Sequence, residues 1–339
     1  VVRVEPDFFA DSTGIKWGAK IIEWNGIPIE EALEQTSLLW SDAPPATRER
    51  RLFEQCALLT RAPVGTEVSV MFQNPGAESP WVTRLEARRD YYQTLEDLWR
   101  QDKPFSEFDA PLVDKLLEDN IGYLNLHGQT ATLVMPFPAR AFRKAIERFI
   151  DANVKGIVLD LRGNIGGLDD LAATYAGHFT QAPLFYRDLV AFDYDKGGFA
   201  LDENAQITIE PRTPCFNGPV MVLIHHSSRG NSQALADSLH DLPNVTLVGA
   251  TGTDGSWAFT GGKVTMPQGY VISYPIGRIL DESGNVRVTA KADMESRVKP
   301  DVRVPRTSDI YHAFFNEERD VTLEKAIEEL KVRTTPDSP

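Results

Sequence analysis

The chain has 339 residues, 42% of them hydrophobic and 25% charged, enough apolar material for two domains or for one with a satellite. Its formal charge of −14 at neutral pH, with no basic cluster, argues against nucleic acid as a partner, because phosphates need Lys and Arg to neutralise them. No apolar run reaches the roughly 18 residues of a membrane span. In chain order, residues 1–90 read as a smaller, mainly β unit. Val1–Val4, Lys20–Ile29, Glu67–Phe72 and Val82–Ala87 alternate apolar and polar side chains as half-buried strands do. Residues 30–60 carry helical spacing with a break at Asp42-Ala-Pro-Pro45. Residues 91–120, charged and aromatic, read as a helical or extended connector.

The most informative stretch follows. Ile157 to Leu161 is a buried-type strand, Gly163, Gly166 and Gly167 make a glycine-rich turn, and Leu168 to His178 resumes with helical spacing. Amides at such a turn suit a phosphate or the oxyanion of a carbonyl under attack. The Gly-Lys-Ser/Thr ending of a phosphate loop and the Gly-x-Gly-x-x-Gly of a dinucleotide site are both absent, so the oxyanion reading leads, beside a tight turn with no chemistry. A second elbow repeats the pattern: strand Gly218 to His225, turn His226-Ser-Ser-Arg-Gly-Asn231, helix Ser232 to His240. A third strand, Val245 to Ala250, runs into the glycine-rich Thr251–Ser256. Neighbouring parallel strands open their carboxyl-end turns onto one crevice.

These segments in this order resemble the S41 serine peptidases, the family of carboxy-terminal processing proteases, the tricorn core protease and the chlamydial protease-like factor. Ile121-Gly-Tyr-Leu124 is similar to the family's opening core strand, Leu159-Asp-Leu-Arg-Gly-Asn-x-Gly-Gly167 to its oxyanion loop, and Val222 to Ala236 to its nucleophile strand and helix. Val248-Gly-x-Thr-Gly252, Val298-Lys-Pro-Asp-Val-Arg-Val304 and Asp320 to Leu330 resemble the later landmarks and closing helix. The resemblance implies an α/β fold: an S41, ClpP/crotonase-like core of stacked βαβ elbows over residues 121–332; Thr334 to Pro339 is of low complexity, and 333–339 reads as a disordered tail. Thr13-Gly-Ile-Lys-Trp-Gly-Ala-Lys-Ile-Ile-Glu-Trp-Asn-Gly26 resembles a PDZ signature, which makes residues 1–90 a PDZ-like domain with a helical insertion. The implied function is serine-type proteolysis through an acyl-enzyme, with a peptide or protein substrate and an oligomer possible. The implied setting is extracytoplasmic, periplasmic or secreted; Val1 stands first without initiator or signal peptide, as in a processed or trimmed form.

The pattern breaks at its centre. Counting from Val248-Gly249 and from Ser228-Arg229 places the family's nucleophile at position 230, where this chain has glycine. The family glutamate three residues on is Gln233, and the lysine base of the processing-protease branch falls near Gly255. Three accounts follow: a deliberate replacement of the nucleophile, a neighbouring hydroxyl that acts instead, or a non-catalytic relative that binds peptide or small acyl ligands in the same cleft. Hydrolysis of a non-peptide ester or amide is a further alternative. Ser232 and Ser228 are the candidate hydroxyls, although a serine at a helix start is also an ordinary cap and one in a loop satisfies its own backbone.

A serine needs a base in hydrogen-bond reach. By resemblance to the tricorn-like branch the histidine position is Asn125; His127, two residues on and on the same strand face, is the leading base. His225 and His226 adjoin the turn, and alternation sends them to opposite faces. His178, His240 and His312 read as structural. Glu295, with Asp293 as rival, resembles the acidic third member; a surface carboxylate is the plainer reading of both. Lys263 falls in an expected hairpin and is given no role. The implied oxyanion hole uses an amide of Gly166 or Gly167 with that of Asn231. Cys56 and Cys215 neither imply nor exclude a disulfide, no zinc-type spacing occurs, and neither metal nor cofactor is expected.

Overall fold

Strands buried on both faces read as unbroken apolar runs, and the three such runs of this chain lie side by side in one parallel sheet. The structure, a computed structural model, describes residues 1–2, 4, 13–41, 44–93, 95, 106–257, 260–287 and 293–334. It packs as two units: residues 1–103 with 304–321, and residues 104–303 with 322–339.

The smaller unit holds strands β1 (Lys20–Trp24), β2 (Ile27–Pro28), β3 (Glu67–Gln73) and β4 (Trp81–Glu86) in an antiparallel sheet of order β2-β1-β3-β4. The predicted Lys20–Ile29 strand is broken at Asn25-Gly26, whose φ angles of 53° and 74° make a tight hairpin turn, and Ile29 already opens a helix. Helices α1 (Ile29–Gln35) and α2 (Arg48–Leu59) account for the helical spacing of residues 30–60; Asp42 and Ala43 of the expected break lie outside the described residues. Thr47 caps α2 by accepting from Arg50 N–H. Of the expected first strand, Arg3 lies outside the described residues and Val1, Val2 and Val4 are not in a strand. Val1 is instead tied by its amino group to the Ala19 carbonyl (2.7 Å), and Val1 and Val4 pack on Ile15, Ala19 and Phe72.

In the larger unit, β5 (Leu112–Leu117), β6 (Ile121–Leu126), β7 (Ile157–Asp160), β11 (Val220–Leu223), β12 (Val245–Gly249) and β16 (Val302–Arg303) form a sheet of order β16-β12-β11-β7-β6-β5. All neighbours are parallel except β5 with β6. Between β7 and β11, β8 (Leu184–Asp193), β9 (Gly198–Leu201) and β10 (Ile207–Ile209) build a second sheet, joined by β15 (Gly277–Leu280). Strands β13 (Thr260–Thr265) and β14 (Val271–Pro275) form a hairpin that carries Lys263, as expected from its position.

Helix α3 (Pro138–Asp151) buries Phe142, Ala145, Ile146 and Phe149, the three-and-four spacing of one helix face, and Phe142 stacks on Tyr175 of α4 (Asp169–Ala176) at 4.4 Å. Each fully buried side chain of this size contributes about 1.5–3 kcal/mol. Helix α5 (Asn231–His240) buries eight of its ten residues. Helices α6 (Ser308–Asn316) and α7 (Val321–Thr334) close the chain.

Two expectations about extent change. The connector contributes the edge strand β5, and residues 94 and 96–105 of it lie outside the described residues. Residues 304–321, expected in the core, pack with the smaller unit; of the expected tail, 335–339 lie outside the described residues.

Candidate functional site

Asp160 of β7 stands in register with Asn125 of β6 and Leu223 of β11, and Leu223 with Val248 of β12. The turns after these strands therefore leave the sheet along one edge. They are also bonded to one another: Arg229 N–H donates to the Asn164 carbonyl (3.1 Å), and Gly230 N–H to the Ser256 carbonyl (2.8 Å).

The glycine loop is shaped by Asn164, whose Nδ2 donates to the Leu126 carbonyl (2.9 Å) and whose Oδ1 accepts Gly166 N–H (2.8 Å). Of the two expected amides, that of Gly166 is thus engaged inside the loop. Gln129 N–H donates to the Gly166 carbonyl (3.0 Å), and Leu168 N–H to the Gln129 carbonyl (2.7 Å). A trans peptide sets its C=O and N–H on opposite sides, so the Gly167 N–H points away from Gln129, and no acceptor among the described residues takes it. The Asn231 N–H, first in α5, has no partner within the helix. The two backbones touch: a Cβ on Gly166 would lie 2.7 Å from the Asn231 nitrogen, and one on Gly167 would lie 2.2 Å from the Gln129 carbonyl oxygen. Only glycine fits either place.

Position 230 is the N-cap of α5, with φ 58° and ψ −130°, a conformation that side chains rarely adopt and that suits a sharp strand-to-helix turn. It carries no hydroxyl. Ser228, fully buried, donates its hydroxyl to the Leu161 carbonyl (2.8 Å) and accepts His225 N–H (3.1 Å). Ser232, also fully buried, sends its hydroxyl to the same carbonyl at 3.4 Å. Gln233 turns its Oε1 to Thr253 Oγ1 and Gly255 N–H, both at 2.8 Å, so the two places where the resemblance expected a glutamate and a lysine are joined by neutral groups.

His127 lies one residue beyond β6, with its own N–H bonded to the Pro111 carbonyl (2.9 Å). The surrounding protein holds its pKa below the usual imidazole value, while Asp160 and Asp109 pull it upward. No hydrogen bond joins its ring to Ser228 or Ser232. Asn125 bonds by Nδ2 to the Tyr123 hydroxyl (3.3 Å), and its Oδ1 is buried without a partner. His225 and His226 do not diverge as alternation predicts: β11 ends at Leu223, and in the turn beyond it their rings stack at 4.9 Å, with His225 Nδ1 accepting Ser227 N–H (3.1 Å). Glu295 is exposed and pairs with Lys299 (2.5 Å); Asp293, also exposed, accepts Glu295 N–H at 3.0 Å. His178, His240 and His312 bond to Pro214 O, Asp301 and Glu317.

Sequence reasoning missed the polar floor of this edge. Asp160 accepts from Arg162 Nε (2.9 Å) and Nη2 (2.6 Å) and from the Tyr123 hydroxyl (2.8 Å). Burial pushes the Asp160 carboxyl up, and the Arg162 guanidinium and these hydrogen bonds outweigh it, holding the group below the ordinary carboxylate value. Burial, then the charge of Asp160, raises the Tyr123 phenol. The acid and the base two residues apart at a strand end were the available signal. Trp257 was also missed: its Nε1–H donates to Asn231 Oδ1 (2.9 Å). Among the described residues no group of His, Cys, Asp and Glu is placed to hold a metal ion, and no helix is long and apolar enough to cross a membrane.

A model of the family described as Peptidase family S41 matches residues 120–304. The carboxy-terminal processing protease CtpA of Bacillus subtilis (strain 168) is 25% identical over 137 residues, which are 40% of this chain and 26% of that protein, so the match spans about a quarter of the relative. Among solved structures, mature CPAF is similar with a TM-score of 0.63 at 16% identity, over 96% of this chain and 80% of that one. Mature CPAF complexed with lactacystin gives 0.60 at 15% identity, over 95% and 80%. At these identities the structural likeness speaks for the fold.

Proposed function

This chain belongs to peptidase family S41, and from that premise we propose that its cleft holds the backbone of a peptide or protein chain without forming an acyl-enzyme. The observation that carries this reading is the glycine at position 230, at the head of α5, with both neighbouring serine hydroxyls buried and turned to the Leu161 carbonyl. The amides of Gly167 and Asn231, at the positive end of the helix dipole, suit a peptide carbonyl oxygen. In a serine peptidase such donors stabilise the oxyanion after attack. Backbone donors are indifferent to the loss of a side chain, so the binding half of the machinery stays when the nucleophile is gone.

A second reading, serine-type hydrolysis by Ser232, has one observation in its favour: its hydroxyl lies 3.4 Å from the Leu161 carbonyl, at the limit of a hydrogen bond, and is loosely held. An exported setting and a PDZ-like role for residues 1–90 belong to the same family-based proposal. Fluorescein-labelled casein separates the readings. Peptide holding predicts a saturable rise in anisotropy with no growth of acid-soluble fluorescence over hours. Steady release of acid-soluble fragments, abolished by Ser232→Ala, would overturn it in favour of hydrolysis.

A further inference from the structure

We infer that Trp257 is a positioning residue that ties the two cleft amides together through the side chain of Asn231, an inference that rests on the peptide-holding reading above. An indole N–H only donates, so the atom of Asn231 that it meets at 2.9 Å is Oδ1. That leaves Nδ2 to donate to the Gly167 carbonyl, as it does. The peptides on both sides of Gly167 are then held. The one before it is fixed by Gln129 N–H on the Gly166 carbonyl, and the one after it by Asn231 Nδ2 and the Gln129 carbonyl. Asn231 also supplies the second amide from its own backbone, so a single residue couples the α5 terminus to the glycine loop.

Trp257 can orient Asn231 because it is itself immobilised. It is buried, the fully buried Tyr186 ring packs edge-on to it at 5.5 Å, and the Arg287 guanidinium lies over it at 5.1 Å. Arg287 is anchored in turn by the Tyr186 carbonyl (3.1 Å) and the Asp237 carboxylate. A phenylalanine at position 257 would keep an aromatic ring beside Tyr186 and Arg287 and lose the N–H, which besides meeting Asn231 also lowers the pKa of the Asp169 carboxyl.

The test compares the full chain with Trp257→Phe, Asn231→Ala and the double variant. Labelled casein affinity and the amide resonances of Gly167 and Asn231 are the readouts, with the melting temperature as a folding control. Trp257→Phe weakens casein binding about five- to tenfold, the weight of one buried hydrogen bond, Asn231→Ala weakens it at least as much because both side-chain bonds of Asn231 go, and each change shifts the Gly167 amide resonance. The double variant binds no worse than Asn231→Ala alone, because the two act in series. Unchanged affinity in Trp257→Phe, or additive losses in the double variant, overturn the inference. Absence of casein binding by the unaltered chain would refute the peptide-holding reading; an unmoved Gly167 resonance in Trp257→Phe would then separately refute the relay.

Discussion

Replacing Gly230 by serine places a hydroxyl where the family resemblance expects the nucleophile, and the backbone sets what this does to stability. At φ 58° and ψ −130° an L side chain is strained by about 1–3 kcal/mol. The new Cβ would also stand 3.0 Å from the Ile165 carbonyl oxygen, which must give by a few tenths of an ångström. Together these destabilise the larger unit by about 2–3 kcal/mol, or roughly 5–10 °C in melting temperature for a unit of its size. Differential scanning calorimetry of the unaltered chain, Gly230→Ser and Gly230→Ala measures this directly. Alanine carries the same strain without the hydroxyl, so both variants should melt lower by similar amounts. If neither shifts the melting temperature, position 230 is not held in the conformation from which the elbow was argued.

The Gly167→Ala variant places a Cβ 2.2 Å from the Gln129 carbonyl oxygen, so the loop must leave its bridge with Gln129; casein affinity falls tenfold or more with the far-UV spectrum unchanged, and retained affinity would show that this loop does not bind the ligand. His178 is buried with Nδ1 on the Pro214 carbonyl at 2.6 Å, and burial holds its pKa below the usual value against the upward pull of that bond. Its contribution to stability is fully present above the unfolded value of about 6.5 and is lost as pH falls through the depressed folded value; urea unfolding from pH 7.5 to 5 should show the decline, and His178→Gln should flatten it. The Glu295 carboxylate is exposed and pairs with Lys299, so Glu295→Gln changes the melting temperature by less than about 2 °C and leaves casein binding unaltered; a tenfold loss would give it the role that the family pattern suggested.

The parallel sheet was legible because buried strands carry continuous apolar runs. Ile157–Leu161, the stretch from Gly218 and Val245–Ala250 became β7, β11 and β12, with helices beginning within a residue of expectation at Asp169 and Asn231. Strand β5 was hidden because an edge strand with one exposed face, Leu112–Leu117, has no such run. The stacking of His225 on His226 was misjudged because strand alternation was extended past Leu223, where the Ser228 hydroxyl takes the His225 N–H and ends the strand. The glycine loop was legible, but which amide it presents was not. That choice depends on Asn164 engaging Gly166 and on Gln129 bridging Gly167, the latter a contact between distant segments. Trp257 to Asn231 and Tyr123 to Asp160 are long-range bonds of the same kind, 26 and 37 residues apart, and no local pattern announces them.

Whether any serine of this chain acts as a nucleophile is tested most directly by fluorophosphonate labelling and peptide mapping of the unaltered chain beside Gly230→Ser. A cleft that holds peptides without an acyl-enzyme predicts no adduct on the unaltered chain and, where the variant is labelled, an adduct at residue 230 alone. An adduct on Ser232 or Ser228 of the unaltered chain would contradict the account and establish a relocated nucleophile.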